Sequence, residues 1–295
     1  MFKKFFIGLL VFLFIIIGGG LYWVLTTRAP YYIISPPKNL GQVTDKPNAK
    51  SFSFSYDADT FSCQLITPKK AANGYLILLL HGVGGSKADM HNMALALAER
   101  GYHAVIYDSR AHGFSTGKYC TYGYHEKHDL QHLINYLYAK PELKGLKYGL
   151  WGCSMGGAVA LQTLAIEPRL KFGIIQSTFC SLEQIVYDYQ QRALNGWGTH
   201  WSAYLALNSA GKLAQFDPYT VKPIEAVKQI KQPVVICHGD QDIHIPVSNG
   251  QDLFNNLKSS RKELIIVKGA DHYNLGQIAG YKFYDRMNDF ILSVK

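Results

Sequence analysis

The sequence predicts an α/β protein with a mostly parallel central sheet and helices on both faces. Two observations support this prediction. Strand-like apolar runs alternate with helix-like runs along most of the chain, the arrangement that builds a parallel sheet covered on both sides. The run at residues 74–80 is also apolar without interruption, as expected of a strand buried on both faces. We therefore expect one sheet to organise the greater part of the chain.

The individual elements follow in order from these patterns. Strands are expected at residues 52–56 and 61–66, ahead of the buried strand at 74–80. The alternation then gives helix 88–100, strand 103–107, helix 126–137, strand 148–151, helix 154–166 and strand 172–176. It resumes with strand 233–237, helix 248–257, strand 263–267 and a last helix near 275–294. Residues 51–295 are thus predicted to form one domain with a substantial core.

The stretch at residues 181–232 interrupts this alternation. It falls between the sixth and seventh predicted strands, at the end of the sheet where ligands of open α/β folds bind. We expect a small helical cap that supplies an apolar substrate pocket, the alternative being ordinary helices packed on the domain. The aromatic residues of this stretch are Tyr187, Tyr189, Trp197, Trp201 and Tyr204.

An apolar run at residues 5–25 contains no charged residue. About 20 such residues cross a bilayer as a helix, and Tyr22 and Trp23 suit the membrane interface at its far end. Residues 1–27 are therefore predicted to be an uncleaved membrane anchor. A cleaved signal peptide is the alternative, because a triplet of glycines begins at Gly18. A buried soluble helix is disfavoured by the length of the run.

The residues beside this run indicate its orientation. Lys3 and Lys4 favour a cytoplasmic N-terminus, which makes a single-pass membrane protein with the domain on the outer, periplasmic or extracellular, face. Arg28 and Lys38 on the far side oppose this orientation. Residues 28–50 contain four prolines and are predicted to form an extended linker.

The composition bears on several classes of partner. The chain has 295 residues, and its formal net charge is +9 at pH 7. Its Lys and Arg residues are scattered, so we expect no nucleic-acid binding, which needs a clustered basic face, and some attraction to an anionic membrane surface. The five cysteines match neither a metal site nor a disulfide framework, although one disulfide stays open as an alternative.

The strongest chemical signal is the turn between strand 148–151 and the following helix. Its sequence is Gly152-Cys153-Ser154-Met155-Gly156. A serine on a tight strand-to-helix turn projects its hydroxyl from the sheet edge, and the glycines let the backbone turn without a Cβ clash. The helix start aims free N–H groups and a positive dipole end at the same place. Ser154 is therefore predicted to be a nucleophile beside a site for a developing oxyanion.

A glycine-rich loop with the sequence HGVGG follows strand 74–80 at residues 81–85. Glycines there let the backbone approach a reacting atom closely. We predict that the N–H groups of Val83 and Met155 form the oxyanion hole. A glycine-rich turn without that role is the alternative.

Two further residues complete the predicted catalytic set. His272 follows strand 263–267 and is predicted to be the general base. Asp242 follows strand 233–237, where a carboxylate can orient the imidazole, and Asp240 is its rival for this role. Asp271 is expected to shape the loop, because a residue adjacent to the base rarely has the geometry of the acid.

The order Ser154, Asp242, His272 resembles that of the α/β-hydrolase superfamily, in the branch of monoacylglycerol-lipase-like and serine-aminopeptidase-like enzymes. The resemblance extends from about residue 52 to the C-terminus. Ala111 departs from the glycine usual in its block, which affects a structural turn. The matching elements are the turn around Ser154, His81-Gly82, residues 108–115 (DSRAHGFS), His238-Gly239 with Asp242 and Pro246, and Asp271-His272.

The resemblance implies the α/β-hydrolase fold, Asp242 as the acid, and hydrolysis of esters, thioesters or amides without a metal or an organic cofactor. We expect a serine hydrolase that cleaves carboxylic esters through an acyl-enzyme on Ser154. Its substrate would be a small-molecule ester of short to medium acyl chain, because the cap is short.

Other functions are weighed against this expectation. A peptidase or amidase of the same fold is the first alternative, and a non-catalytic binding protein on a hydrolase scaffold is an alternative of another class. Dehalogenase or epoxide-hydrolase chemistry is disfavoured, because that branch of the superfamily needs an aspartate at the position of Ser154.

Overall fold

Eight strands form one twisted sheet in the computed structural model, which describes residues 16–294. The strands are β1 Ala49–Tyr56, β2 Asp59–Ile66, β3 Tyr75–Leu80, β4 His103–Tyr107, β5 Lys147–Cys153, β6 Phe172–Gln176, β7 Val234–Gly239 and β8 Lys262–Val267. Their order across the sheet is β1-β2-β4-β3-β5-β6-β7-β8. β2 is antiparallel to β1 and β4, and the neighbouring strands from β4 to β8 are parallel. The mostly parallel sheet predicted from the alternation is confirmed.

Helices connect the strands and cover both faces of the sheet. Side chains of β3 alternate between two cores: Leu76, Leu78 and Leu80 face one, and Ile77 and Leu79 face the other. The helices are α1 Ala29–Ile34, α2 Lys87–Glu99, α3 Glu126–Tyr138, α4 Met155–Leu164, α5 Leu182–Ala193, α6 His200–Ala214, α7 Pro223–Ala226, α8 Val247–Asn256 and α9 Leu275–Leu292, with 3-10 turns at Pro141–Leu143 and Pro218–Thr220. The first core is covered by α3, α4 and α8, and the second by α2 and α9.

Residues 181–232 form a small helical cap built on α5 and α6. The buried side of α6 carries small and aliphatic residues, among them Ala206, Leu207 and Ala210. These pack with Leu182 and Ile185 of α5 in a buried cluster that also includes Ala158 of α4. Phe216 is buried in the same cluster, so the cap is held together by aliphatic residues and by this aromatic one.

The prediction of an extended linker at residues 28–50 is wrong in its first part. Residues 29–34 form α1, with Pro30 in its first turn, where a missing N–H costs nothing. Ile34 is fully buried in the core of the cap. Its carbonyl accepts a hydrogen bond from Cys120 N at 2.8 Å, and the carbonyl of Ile33 accepts one from Tyr122 Oη at 2.7 Å. Burial of Ile34 and these two long-range hydrogen bonds favour the helix over the extended conformation expected of the proline-rich sequence.

The predicted anchor at residues 1–27 lies mostly outside the described residues. Its last part, residues 16–27, is helical. Among residues 16–294, no helix combines the length and the apolar character that crossing a membrane requires.

Candidate functional site

Ser154 lies at the turn between β5 and α4, in a strained backbone conformation. Its φ of 54° and ψ of −121° are rarely adopted by a residue with a side chain. Two glycines make the turn sterically feasible. A Cβ on Gly152 would collide with the carbonyl of Gly156, and a Cβ on Gly156 would collide with that of Leu80. Thr178 Oγ1 donates a hydrogen bond to Ser154 O at 2.7 Å and helps to fix the turn.

The three residues Ser154, His272 and Asp242 form a continuous chain of hydrogen bonds. His272 Nε2 lies 3.1 Å from Ser154 Oγ, and His272 Nδ1 lies 2.7 Å from Asp242 Oδ2. An ionised carboxylate only accepts, so Nδ1 carries the proton and Nε2 is free to accept from the serine hydroxyl. This arrangement can move a proton from the serine to the imidazole.

Asp242 is buried in a set of hydrogen-bond donors that keep it ionised. Its Oδ1 accepts from His244 N at 2.9 Å and from Ile245 N at 2.8 Å. Burial by itself would raise the pKa of Asp242, but hydrogen bonds from His238, His272 and Ile245 outweigh it and hold the pKa well below its usual range. A permanently charged Asp242 can stabilise the imidazolium form of His272.

The rival carboxylates have other partners. Asp240 Oδ1 accepts from Gly269 N at 2.7 Å and thereby joins the loops that follow β7 and β8. Asp271 Oδ1 accepts from the backbone N–H groups of Tyr273 and Asn274 at 2.8 and 2.9 Å. The structure thus places Asp242, and neither neighbour, against His272.

The glycine-rich loop is held by a neutral histidine. Ser109 N donates to His81 Nε2 at 3.0 Å, so the proton of the ring lies on Nδ1, which donates to Gly82 O at 2.7 Å. Burial, and then the neighbouring His112, lower the pKa of His81 and keep the ring uncharged. The orientation of the peptide between Gly82 and Val83 is thereby fixed.

The other predicted oxyanion donor is Met155. It is the first residue of α4, so its N–H has no acceptor within the helix. Val83 is 41% exposed, whereas Met155 is buried. A carbonyl oxygen that approaches Ser154 would lie between the loop of residues 81–85 and this helix start, whose dipole favours negative charge.

Residues 108–115 support the same edge of the sheet. Asp108 is fully buried and accepts from the Lys87 ammonium at 2.7 Å and from Phe114 N at 3.0 Å. Lys87 begins α2, so this ion pair joins the start of that helix to the loop after β4. Ala111 has a φ of 61°, the left-handed conformation in which a glycine would be unstrained.

A cleft of about 790 Å³ opens beside Ser154. It runs between α2 and α9, and Tyr189 is the one cap residue among its described lining residues. Trp197, Trp201 and Tyr204 are 87%, 57% and 51% exposed. The structure therefore does not support the expectation that the aromatic residues of the cap enclose the substrate.

Sequence reasoning missed two parts of this site. His238 Nε2 lies 2.8 Å from Ile245 O and 3.5 Å from Asp242 Oδ2, so its ring buttresses the carboxylate. The signal was present in the pair His238-Gly239, to which no role was given. The sequence also contained a signal for the cleft, because the apolar residues Met90, Met93 and Leu97 recur at helical spacing. This pattern indicates an apolar face but not whether another element covers it.

Comparison with known proteins identifies the family. A family model described as X-Pro dipeptidyl-peptidase (S15 family) matches residues 22–220, more than half of the chain. The chain belongs to this family. It is a hydrolase of the α/β-hydrolase superfamily of serine hydrolases, as the resemblance in the sequence indicated. The match includes the turn around Ser154 and ends before Asp242 and His272.

Individual relatives agree with this assignment. The chain is 30% identical over 224 residues to the uncharacterized protein YqkD of Bacillus subtilis, covering 72% of each chain. It is 31% identical over 244 residues to the monoglyceride lipase of Saccharomyces cerevisiae, covering 66% of this chain and 76% of that one. It shares 26% identity with the mouse lysophosphatidylserine lipase ABHD12, covering 65% of this chain, but spans only 47% of that relative's length.

A solved structure shows the same fold. The Pyrococcus furiosus esterase Pf2001 superposes with a TM-score of 0.72 at 23% identity, covering 89% of this chain and 98% of the esterase. With so low an identity, the likeness concerns the fold alone.

Proposed function

We propose that this S15-family chain is a serine hydrolase that cleaves carboxylic esters through an acyl-enzyme on Ser154. The observation that carries the proposal is the chain of hydrogen bonds from Ser154 Oγ to His272 at 3.1 Å and from His272 to Asp242 at 2.7 Å. The position of Ser154 directly before α4 also supports the proposal, because the positive end of the helix dipole would stabilise an oxyanion that forms beside this serine.

The reaction follows from these contacts. Ser154 Oγ attacks the acyl carbonyl as its proton passes to His272 Nε2, and Asp242 stabilises the resulting imidazolium. The N–H groups of Val83 and Met155 would hold the oxyanion. His272 then protonates the leaving alcohol. Water, activated by the same imidazole, releases the acyl group from Ser154.

Peptidase activity is the second candidate, and two observations favour it. The family model is that of an X-Pro dipeptidyl-peptidase. Asp89 is the acidic residue among the described residues of the cleft lining, and a carboxylate there could bind a free N-terminal amine. Esters remain the first choice, because an alcohol leaves with less protonation than an amine and most of the cleft lining is apolar.

One experiment separates the candidates. Purified protein is labelled with a fluorophosphonate and then assayed on p-nitrophenyl esters and on X-Pro p-nitroanilides. The proposal expects labelling of Ser154 and a higher kcat/KM for the best ester than for any anilide. Faster turnover of an anilide would make the chain a peptidase. An unlabelled Ser154 with no turnover would indicate a binding protein.

We further propose that residues 5–25 hold the protein in a membrane with the hydrolase domain on the outer face. The apolar run and its flanking Lys3 and Lys4 support this. Ile17 and Leu21 of the described helical part are 68% and 51% exposed, as residues that contact lipid would be. Full-length protein should stay in the membrane pellet after high-salt and carbonate washing. A mature N-terminus beyond Leu25 would instead show cleavage.

A further inference from the structure

The cleft beside Ser154 follows α2 along most of that helix. Four of its lining residues are Asp89, Met93, Ala96 and Arg100, which recur at spacings of four, three and four. Residues at this spacing lie on one face of a helix. One continuous face of α2 therefore forms a wall of the cleft.

α9 forms the opposite wall in the same way. Its lining residues beyond Gly280 are Tyr281, Tyr284, Asn288 and Ile291, which recur at spacings of three, four and three and lie on one face. Gln277 also lines the cleft, from the part of the helix before Gly280. The helix is interrupted at Gly280, whose φ of 64° and ψ of −163° are angles that glycine tolerates. The two walls face each other across the second core of the sheet.

The floor between the walls is deeply buried and apolar. Trp151 of β5 and Met287 of α9 are each 1% exposed, and Leu97 is 6% exposed. Trp151 also lies three residues before Ser154, near the end of the strand that leads into the turn. The floor therefore leads directly from the reactive serine into the space between the helices.

Both helices begin at the reactive end. α2 starts immediately after the loop of residues 81–85, and α9 starts three residues after His272. From Asp89 to Arg100 the wall rises about 16 Å at about 1.5 Å per residue. With carbon–carbon bonds of about 1.5 Å, a zigzag chain advances roughly 1.3 Å per carbon. A linear chain of roughly a dozen carbons would thus fill the cleft.

Polar contacts close the far end. Arg100 Nη2 pairs with Asp285 Oδ1 at 2.9 Å, and Tyr102 Oη donates to Asn288 Oδ1 at 2.9 Å. These contacts join the end of α2 and the residue before β4 to α9. A chain longer than the apolar floor would meet them and gain no further apolar contact.

We propose that this cleft binds the linear acyl chain of the substrate and sets the preferred chain length at roughly a dozen carbons. This inference rests on the proposed ester hydrolysis and makes the preferred acyl chain longer than the short cap suggested. The acyl group stays bound to Ser154 while the alcohol leaves and water enters. We therefore place the acyl chain in the deep part of the cleft, between α2 and α9. The leaving group would lie toward the mouth, where Tyr273 is 77% exposed.

The test places an obstacle at two depths on α2. Asn92 and Ala96 both line the cleft and are exposed, and they lie about 6 Å apart along the helix. The variants Asn92→Trp and Ala96→Trp are compared with Glu99→Trp, a control on the same helix outside the cleft. Each is assayed on p-nitrophenyl esters from acetate to palmitate, with the active sites counted by fluorophosphonate labelling.

The expected result is a graded shortening of the preferred chain. Ala96→Trp should lower the ratio of kcat/KM for dodecanoate to that for butyrate by at least about 10-fold, which corresponds to about two methylenes displaced into water. Asn92→Trp should move the optimum to chains about five carbons shorter still. Glu99→Trp should keep the profile of the unsubstituted protein. Thermal unfolding of each variant checks that it is folded.

Two outcomes would overturn the inference while leaving ester hydrolysis in place. The first is an unchanged chain-length profile in both cleft variants that are folded and labelled. The second outcome needs a further series, butyrate esters of alcohols of graded length. If the two cleft variants change the kcat/KM values of this series alone, the cleft binds the leaving alcohol. Absence of turnover on every ester, by contrast, would contradict the proposed function itself.

Discussion

Two apolar regions flank Ser154, and they differ in where their large side chains point. In the cap, Trp197 and Trp201 expose most of their surface, while aliphatic residues and Phe216 fill the interior. In the cleft, Trp151 and Met287 are almost completely buried and form a floor. An abundance of aromatic residues near a reactive serine therefore does not locate a substrate pocket. The pocket lies between α2 and α9, where exposed residues of both helices stand beside a buried apolar floor.

The largest expected effect tests the centre that both regions share. Ser154→Ala should abolish fluorophosphonate labelling and lower kcat by about 10⁴-fold or more, because it removes the hydroxyl that forms the acyl-enzyme. Ser177→Ala is the matched control, since Ser177 is also a buried serine that lines the cleft, and it should keep its labelling. Undiminished labelling of Ser154→Ala would remove the basis for assigning either region to a substrate.

The next effect tests the carboxylate that accepts a hydrogen bond from His272. Asp242→Asn should lower kcat by about 10³-fold or more, because an amide can present its N–H₂ to Nδ1 and favour the wrong tautomer. Asp240→Asn should remain within a few-fold of the unsubstituted enzyme, since its partner is the backbone of Gly269. An inactive Asp240→Asn beside a normal Asp242→Asn would reverse the assignment of the acid.

A third effect concerns the packing of the cap. Ile34→Ala should destabilise the protein by about 2–4 kcal/mol, because Ile34 is fully buried in the core of the cap. Tyr32→Ala is the control, since Tyr32 is 90% exposed and should change the free energy of unfolding by less than about 0.5 kcal/mol. Urea unfolding of both variants measures the difference. Equal stabilities would show that α1 does not hold the cap.

What the sequence could predict was local. Seven of the eight strands lie within about two residues of their predicted positions, since alternation and unbroken apolar runs are properties of short segments. β1 is the exception, because it starts three residues early, at Ala49. The turn around Ser154 was recognisable because its glycines form a short sequence pattern, although the carbonyl that requires glycine at position 156 is that of the distant Leu80. Even the departure at Ala111 indicated a real backbone feature, a left-handed residue.

What the sequence could not predict was long-range. The burial of Ile34 depends on a cap that begins about 150 residues later, and nothing in the proline-rich segment around it indicates that partner. The choice between Asp242 and Asp240 came from a family resemblance, because both follow the same strand. The orientation of the cap aromatics depends on which face of α6 meets α1 and α4.

The smallest expected effect bears most directly on the comparison of the two regions. Trp201→Ala should change kcat/KM by less than about 2-fold at every chain length, because an exposed side chain outside the cleft contributes little to binding a soluble ester. Comparing Trp201→Ala with Ala96→Trp on the same p-nitrophenyl esters shows which of the two regions binds the acyl chain. A loss of preference for long chains in Trp201→Ala, with no change in Ala96→Trp, would mean that the cap closes over the substrate during the reaction. The exposed aromatics would then be one wall of a pocket that forms only around the bound ester. The opposite pattern would show that α2 and α9 determine the preferred acyl-chain length, and that the outward face of the cap does not bind soluble esters.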